Sequence, residues 1–332
     1  MNDWQDQADA MRPEHSPLTK STSAPTPSLF EQECEAVGRA SAAAKLRFDK
    51  SGPEMYQRAY RKYRESKGPS AYQDYFVRKC LGLRLNAIKR GMVVDPSVTP
   101  DHLRYITDGI CPVTLEPLEF ETRGQSKLNP SVDRLVNDVG YRAGNICVLS
   151  QRANRAKGEK SFEEVASIAT QGEPAGGLEP VEWMRLCSLM YGAWDKAYQR
   201  GDPHLLPLAA IPGPGMFMST SQVVQLMLTR LAQGLLPADR AHTMWRELTV
   251  AADAQVHLYE EMVALLEPAI ADEEHPGNAW LHGDVFTAFE HWYNASHRTL
   301  LPHVEGMLQA RTELRDDPVA KDLWPVGGRY HH

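Results

Sequence analysis

The spacing of hydrophobic and polar residues divides the chain into a helical front, a short β segment and a helical rear. Apolar residues recur at helical spacing from Ser28 onward, and in two runs on either side of the helix breaker "KGPS" at 67–70. Thr99 followed by Pro100 predicts a further short helix, since this pair suits the first helical positions. Four more helices are predicted in the rear, at 181–200, 219–234, 237–270 and 280–314.

Strand-like patterns cluster between residues 110 and 150. The stretch "ICPVTLEPLEFE" predicts a short apolar strand pair around a turn. Downstream, "PSVDRLV" and "NICVLS" predict two strands joined by the glycine-containing turn "NDVGYRAG", and "QRANRAKGE" predicts the start of a helix. The predicted fold class is therefore mainly α, with a small ββα module and a C-terminal α-helical bundle.

Four segments follow from these patterns and from local composition. Residues 1–28 are rich in Pro, Ser and Thr, a composition that cannot bury a core, so they predict a disordered tail. A basic helical lead-in at 29–100 and the ββα module at 101–170 come next. The Gly/Pro-rich stretch at 170–180 marks a boundary, beyond which 175–332 predicts an acidic α-helical domain.

The overall composition is that of a globular protein of 332 residues, with 42% hydrophobic and 24% charged residues. We expect no membrane span, because no apolar run approaches the roughly 18 residues that one requires. The first residues show no basic stretch followed by an apolar core, so no secretory signal is expected. Five scattered cysteines argue against a disulfide framework and predict a reduced, cytoplasmic setting.

The net charge of −7 hides an uneven distribution of charge along the chain. Residues 45–90 contain thirteen Lys or Arg against four Asp or Glu, whereas 175–332 contain eleven against twenty. A basic stripe can follow a phosphate backbone, but it can equally be a solvated helix face. Both interpretations stay open from the sequence.

Three cations of the basic front, Arg58, Arg61 and Lys62, alternate with tyrosines at helical spacing. One interpretation places the tyrosines in a core, and the other places the whole face against nucleic acid, with Arg and Tyr touching its backbone. On the second interpretation these three cations would add DNA affinity.

Polar residues of the β segment have the types and spacing that a ββα nuclease centre needs. Asp133 at the end of the first strand and Asn154 on the first helical turn can supply hard oxygen ligands for Mg²⁺ or Mn²⁺. Asn145, which opens the second strand, can tie down the loop by hydrogen bonding to the backbone. The cations placed to hold a DNA phosphate are Arg152, Arg155 and Lys157.

The stretch "SVDRLVNDVGYRAGNICVLSQRANRAK" at 131–157 resembles the HNH, or His-Me finger, nucleases of the branch common in phages and mobile elements. The shared features are the DR, GY and GN pairs and the final NxxK, at matching separations. The upstream basic helix ending in "KRG" and the Cys-containing hairpin are also similar to that branch. The resemblance extends over about 78–168.

This resemblance implies a role for each matching position. Asp133 falls on the metal-ligand acid, Asn145 on the central asparagine that positions the loop, and Asn154 on a second metal ligand. Lys157 falls on a position that contacts phosphate. Arg134 falls where a standard member carries its general-base histidine, and this is the main departure from the family.

Arginine remains charged at any ordinary pH and does not readily accept a proton, although it can bind a phosphate or stabilise a transition state. A metal-bound hydroxide or another side chain would then have to act as the base. The chain has no histidine between His102 and His204 that could replace it from within the motif.

A second departure concerns zinc, which many relatives bind with two CxxC pairs. Cys111 is followed by Thr114 at the paired position, and Ser150 and Ala153 stand near the second pair. We therefore expect no structural zinc. A rival metal site could be formed by Glu290, His291 and His297, with His282 and Asp284 before them, but a separation of six residues is poor for two ligands on one helix face, and satisfied or exposed helix histidines explain these residues better.

The sequence thus predicts a metal-dependent DNA endonuclease of HNH-like type, with DNA as partner and Mg²⁺ or Mn²⁺ as cofactor. The alternative from another class is an HNH-scaffold DNA-binding or assembly protein with weak or no catalysis, in which Asp and Asn only cap turns. For the acidic helical domain we expect a protein partner or a homo-oligomeric contact.

Overall fold

The computed structural model describes residues 27–66, 74–120, 126–201 and 204–313, with side chains from residue 29 to residue 306. Residues 1–26 of the predicted tail lie outside the described residues, and so does the helix breaker "KGPS". The described chain is mainly helical, with one small two-stranded antiparallel sheet. Contacts divide it into two compact units, one within His15–Ser161 and the other within Phe162–His332.

Four helices open the described part of the first unit: α1 (Pro27–Ala43), α2 (Glu54–Ser66), α3 (Tyr75–Ile88) and α4 (Pro100–Ile106). Asp74 caps α3 by accepting hydrogen bonds from two backbone N–H groups. Thr99 caps α4 in the same way, with Pro100 at the first helical position, as the sequence predicted. The observed helices on either side of 67–70 also confirm the predicted pair.

The first two helices approach so closely that a side chain has no room at their crossing. A Cβ placed on Gly38 of α1 would lie 2.4 Å from the carbonyl oxygen of Tyr56 on α2. Tyr56 is fully buried in a cluster with Cys34, Val37 and Ile88. The phenol of Tyr60 donates a hydrogen bond to the backbone oxygen of Leu46 at 2.6 Å. Tyr56 and Tyr60 therefore pack in the unit, which corrects the interpretation that places them against nucleic acid.

The small sheet consists of β1 (Pro130–Arg134) and β2 (Ile146–Ser150), followed at once by α5 (Gln151–Lys157). The strands pair antiparallel, with Val132 opposite Val148 and Asp133 opposite Cys147. Ser150 accepts a hydrogen bond from the backbone of Ala153 at 3.2 Å and so caps α5. Strand, turn, strand and helix thus follow in the predicted order.

The strand pair predicted at 110–121 is reduced to one bridge, between Ile110 and Pro117. Two hydrogen bonds hold the turn closed, from Cys111 N to the oxygen of Glu116 at 2.9 Å and from Leu115 N to the oxygen of Cys111 at 2.8 Å. Leu115 adopts a positive φ of 57°. Beyond the bridge Leu118 N donates to the oxygen of Gly109 at 2.7 Å, but Glu119 N donates to the oxygen of Leu128 at 3.1 Å, so the pairing with the first segment ends there.

Six helices form the described part of the second unit: α6 (Phe162–Gln171), α7 (Pro180–Tyr198), α8 (Thr220–Ala232), α9 (Ala238–Ala251), α10 (Val256–Asp272) and α11 (Gly283–Glu313). A 3₁₀ turn at Pro276–Leu281 precedes α11. The helix predicted at 237–270 is in fact α9 and α10, because Asp253 adopts a left-handed conformation with a φ of 60° and interrupts the helical hydrogen bonds.

The helix α6 belongs to the second unit, although the sequence analysis included its residues in the module at 101–170. Phe162 packs against the rings of Tyr191 and Trp194, at centroid distances of 5.7 and 4.6 Å. The Trp194 indole N–H donates to the carboxylate of Glu163 at 2.8 Å. The apolar face of α6 is therefore buried by α7, and the unit boundary falls before Phe162.

Two of the tryptophans in the core of the second unit donate hydrogen bonds to buried threonines. Trp280 donates to Thr229 at 2.9 Å, and Trp292 donates to Thr249 at 2.8 Å. All four residues are nearly or fully buried. Pairing lets the indole N–H enter the core without loss of its hydrogen bond. Within the ranges that the structure describes, no helix is both long enough and apolar enough to cross a membrane.

Thr249 allows a matched test of one such bond. Thr243 and Thr249 both lie on α9 and donate to the carbonyl four residues earlier, but only Thr249 also accepts from Trp292. We expect Thr249→Val to lower the free energy of unfolding by about 1–3 kcal/mol more than Thr243→Val, because the Trp292 N–H is left unpaired. Urea unfolding followed by circular dichroism measures the difference; equal effects would contradict this account.

Candidate active site

A cleft of about 470 Å³ in the first unit collects the polar residues of the motif. From β1 it is lined by Ser131, Asp133 and Arg134, and from α5 by Asn154. The other polar residues that line it are Arg78, Lys79, Asn86, Arg90, Tyr141 and Glu159. The cleft therefore joins the two predicted metal ligands to four cations.

The carboxylate of Asp133 lies in a buried ion pair. Asp133 is only 7% exposed, and Lys157 is 0% exposed. The ammonium of Lys157 lies 3.2 Å from Asp133 Oδ2, yet the two atoms do not meet hydrogen-bond geometry, and neither has another hydrogen-bond partner among the described residues. Burial raises the pKa of Asp133 to about 6, and the charge of Lys157, which lowers it, offsets burial only in part.

Asn154 is held at the cleft by a hydrogen bond from its side-chain nitrogen to Ser131 Oγ, at 2.5 Å. This bond ties the first turn of α5 to β1. The amide oxygen of Asn154 makes no hydrogen bond with any described residue. Asp133 and Asn154 both line the cleft, and their side chains carry the hard oxygen donors that Mg²⁺ and Mn²⁺ prefer, so the residues fit such an ion, although Asp133 Oδ2 is buried against Lys157.

Asn145 is fully buried and fastens the turn between the two strands. Its side-chain oxygen accepts from the backbone N–H of Val136 at 3.0 Å. Its side-chain nitrogen donates to the backbone oxygens of Val136 and Gly140, both at 2.8 Å. The predicted bonds that tie down the loop are confirmed, and Asn145, which does not line the cleft, holds the turn that follows β1.

Arg134 is fixed by the turn that follows it. Its guanidinium donates to the backbone oxygen of Asn137 at 3.1 Å and lies 5.2 Å from the ring centroid of Tyr141. Arg90 donates to the Tyr141 hydroxyl at 2.9 Å, with its guanidinium 5.8 Å from the same ring. Two cations thus share one aromatic ring beside the cleft, which holds both guanidinium groups in place.

Lys79 brings α3 to the edge of the sheet. Its ammonium donates to the backbone oxygen of Pro130 at 2.5 Å, and burial lowers its pKa. Four lining residues were not predicted from the sequence, namely Lys79, Arg90, Tyr141 and Glu159. The only available signals were the excess of Lys and Arg at 45–90 and the GY pair of the motif.

The structure places the predicted phosphate-binding cations outside the cleft lining. Arg152 forms an ion pair with Glu116 at 3.0 Å, and Arg155 is exposed. Lys157 is buried against Asp133, so it differs from the surface cation that the sequence analysis expected. The exposed cations of α2, which are Arg58, Arg61 and Lys62, stay a prediction as DNA contacts.

The positions compared above with the zinc-binding CxxC pairs of relatives are in the first unit. Cys111 Sγ accepts a hydrogen bond from the backbone N–H of Ser150 at 3.2 Å. In the second unit, His282 pairs with Glu273 at 2.9 Å. Among the described residues, no group of three or more His, Cys, Asp or Glu side chains is placed to hold a metal ion. The side chains considered as a rival metal site therefore do not form such a site within the described residues.

Comparison of the chain with protein-family models, with curated proteins and with solved structures finds no match. The HNH resemblance therefore depends on the motif residues alone.

The raised pKa of Asp133 predicts a specific pH dependence of stability. Because the folded pKa of about 6 exceeds the ordinary value of 3.8, folding is favoured most when the carboxyl is protonated, and this advantage is lost as pH rises through 6. Relative to Asp133→Asn, the wild type should lose up to about 3 kcal/mol between pH 4 and pH 7.

Urea unfolding at several pH values, in both proteins, measures that difference. Taking the difference cancels the titration of all other groups that the substitution leaves unaltered. A wild-type advantage that grows with pH would contradict the prediction, since it would show that the attraction of Lys157 outweighs burial.

Proposed function

We propose that this protein is a metal-dependent DNA endonuclease of HNH-like type, which hydrolyses phosphodiester bonds in the cleft beside β1. The observation that supports this most is the convergence of Asp133 and Asn154 with four cations on one cleft. Under this proposal β1, β2 and α5 form a ββα-metal module. The C-terminal helices form a bundle that binds a protein partner or a second copy, in the cytoplasm.

Each group at the cleft has a role in such a reaction. Asp133 and Asn154 would hold Mg²⁺ or Mn²⁺, and a bound ion would supply positive charge to the scissile phosphate and its leaving oxygen. Arg134 and Arg90, held against Tyr141, bind the non-bridging phosphate oxygens. Their fixed guanidinium groups lose little freedom on binding, which favours a clamp.

Lys157 competes with any cation that binds Asp133. Its ammonium lies 3.2 Å from Oδ2, so a divalent ion bound to that oxygen would meet a like charge nearby. The lysine must therefore shift, or metal affinity is reduced. Lys157→Met removes the competing charge and should tighten Mn²⁺ binding if the carboxylate is a ligand.

A second candidate function is favoured by the same ion pair. Asp133 already has a cationic partner in Lys157, so its charge is balanced without a metal, and Arg134 is engaged with Tyr141 and Asn137. On this reading the scaffold binds DNA and does not cleave it. Measurement of cleavage and metal binding in the same variants separates the two functions.

Substitution of Asp133 is the direct test. Asp133→Asn keeps the side-chain volume, and Asp138→Asn is a matched control at an exposed aspartate of the same turn that does not line the cleft. We expect Asp133→Asn to abolish Mg²⁺-dependent nicking of plasmid DNA and to weaken Mn²⁺ binding by at least tenfold, because a ligand charge is lost. The control should behave as the wild type.

Nicking can be followed on gels, Mn²⁺ binding by electron paramagnetic resonance, and folding by circular dichroism. Unchanged Mn²⁺ affinity in folded Asp133→Asn would exclude Asp133 as a ligand. DNA binding without nicking in the wild type would favour the non-cleaving scaffold.

The phosphate clamp predicts a change in the salt dependence of DNA binding. Each phosphate contact contributes roughly −0.9 to the slope of log affinity against log salt. The double variant Arg90→Gln/Arg134→Gln should therefore flatten the slope by up to about 2. Fluorescence anisotropy at several salt concentrations measures it.

The double variant Arg58→Gln/Arg61→Gln, on α2, serves as the comparison. Flattening there as well would show that α2 also contacts the DNA backbone. An unaltered slope in Arg90→Gln/Arg134→Gln would contradict the clamp.

A further inference from the structure

The proposed hydrolysis needs a proton acceptor that the motif does not supply. Arg134 occupies the position of the family's base, but its guanidinium is charged and donates to Asn137. Asp133 is committed to a cation, whether this is Lys157 or a metal ion. The acceptor must therefore be sought among the other groups that line the cleft. The following inference rests on the proposed function.

Most polar side chains at the cleft already have partners. Ser131 accepts from Asn154, and the hydroxyl of Tyr141 accepts from Arg90. Amides such as Asn86 have no useful basicity. Among the described residues that line the cleft, Asp133 and Glu159 are the carboxylates, and Glu159 is exposed. The carboxylate of Glu159 makes no hydrogen bond or ion pair with any described residue.

The backbone of Glu159 is held at the end of α5. Gly158 leaves the helix with a φ of 56°, and its N–H donates to the backbone oxygen of Asn154 at 2.9 Å. The side chain of Asn137 donates to the backbone oxygen of Glu159 at 2.9 Å, and the backbone oxygen of Asn137 accepts from Arg134. Asn137 thus links Arg134, the proposed phosphate clamp, to the backbone of Glu159. These bonds do not involve the side chain of Glu159, which stays free at the cleft.

We propose that Glu159 is the general base of this site. Its carboxylate accepts a proton from the attacking water as the water oxygen forms a bond to phosphorus. The phosphorus–oxygen bond to the leaving group breaks, and the leaving oxygen takes a proton from solvent. Glu159 then returns its proton to solvent, so that one water is consumed for each phosphodiester bond.

The charge of Glu159 makes this role distinguishable from an incidental one. A carboxylate among cations repels a phosphate backbone, so its removal should strengthen DNA binding whatever its role. If Glu159 only repels, Glu159→Gln should cleave at least as fast as the wild type. If Glu159 is the base, the same variant should bind DNA as well or better and cleave far more slowly.

The experiment compares Glu159→Gln with Asp138→Asn, which makes the same charge change at an exposed residue outside the cleft lining. Single-turnover cleavage with Mg²⁺ should fall about 10²-fold or more in Glu159→Gln, the usual contribution of a general base. Anisotropy in EDTA should show unchanged or tighter DNA binding, and Mn²⁺ affinity should not change. The control should cleave at the wild-type rate.

A rescue experiment identifies the missing group. Glu159→Ala should regain cleavage when formate is added, because formate can diffuse into the space left by the side chain and accept the proton. Chloride at the same ionic strength should give no recovery. Absence of rescue by formate, with folding intact by circular dichroism, would count against the assignment.

The outcomes separate this inference from the proposed function. Wild-type cleavage that needs Asp133 but proceeds equally fast in Glu159→Gln overturns the base and leaves the nuclease standing. Loss of Mn²⁺ affinity in Glu159→Gln also overturns it, since Glu159 would then be a metal ligand. Absence of cleavage in the wild type overturns both, because no hydrolysis would remain for a base to assist.

Discussion

The buried ion pair of Asp133 and Lys157 is the constraint on which the rest of the first unit depends. Two charges removed from water cost several kcal/mol each unless their mutual placement is exact enough to recover that cost. The pairing of β1 with β2 sets the position of Asp133, and the cap at Ser150 starts α5 so that Lys157 returns beneath the sheet. Asn145 holds the connecting turn, and therefore the register, through three backbone hydrogen bonds.

The ion pair of Asp133 and Lys157 bears on both candidate functions of the cleft, which are metal-dependent cleavage and DNA binding without cleavage. A carboxylate can hold a divalent ion, but the ammonium of Lys157 already supplies positive charge beside Asp133 and would compete with such an ion. The surrounding cations, above all the two that share Tyr141, favour a phosphate at the cleft. Glu159 is the exception, because its carboxylate has no partner among the described residues and would weaken phosphate binding, and the role that we propose for it is to accept a proton.

Much of the fold followed from local patterns. The helices of the first unit, the Thr99 cap and the order of strand, turn, strand and helix each depend on residues close in sequence, and periodicity and capping report such elements directly. The errors occurred where tertiary contacts or backbone strain decided. Asp253 divides one predicted helix into two, and α6 joins the second unit because α7 covers its apolar face.

By itself, the sequence determined which residues of the motif could act together. Asp133, Asn145 and Asn154 lie on elements that are adjacent along the chain, so their spacing was enough to predict that Asp133 and Asn154 come together and that Asn145 holds the turn between the strands. Tertiary structure decided what surrounds them. Lys157 lies on the inner side of a helix too short to show which face is buried, and Lys79 reaches the sheet from a helix distant in sequence. A periodic pattern specifies an element, but only packing specifies which distant side chains share its cleft.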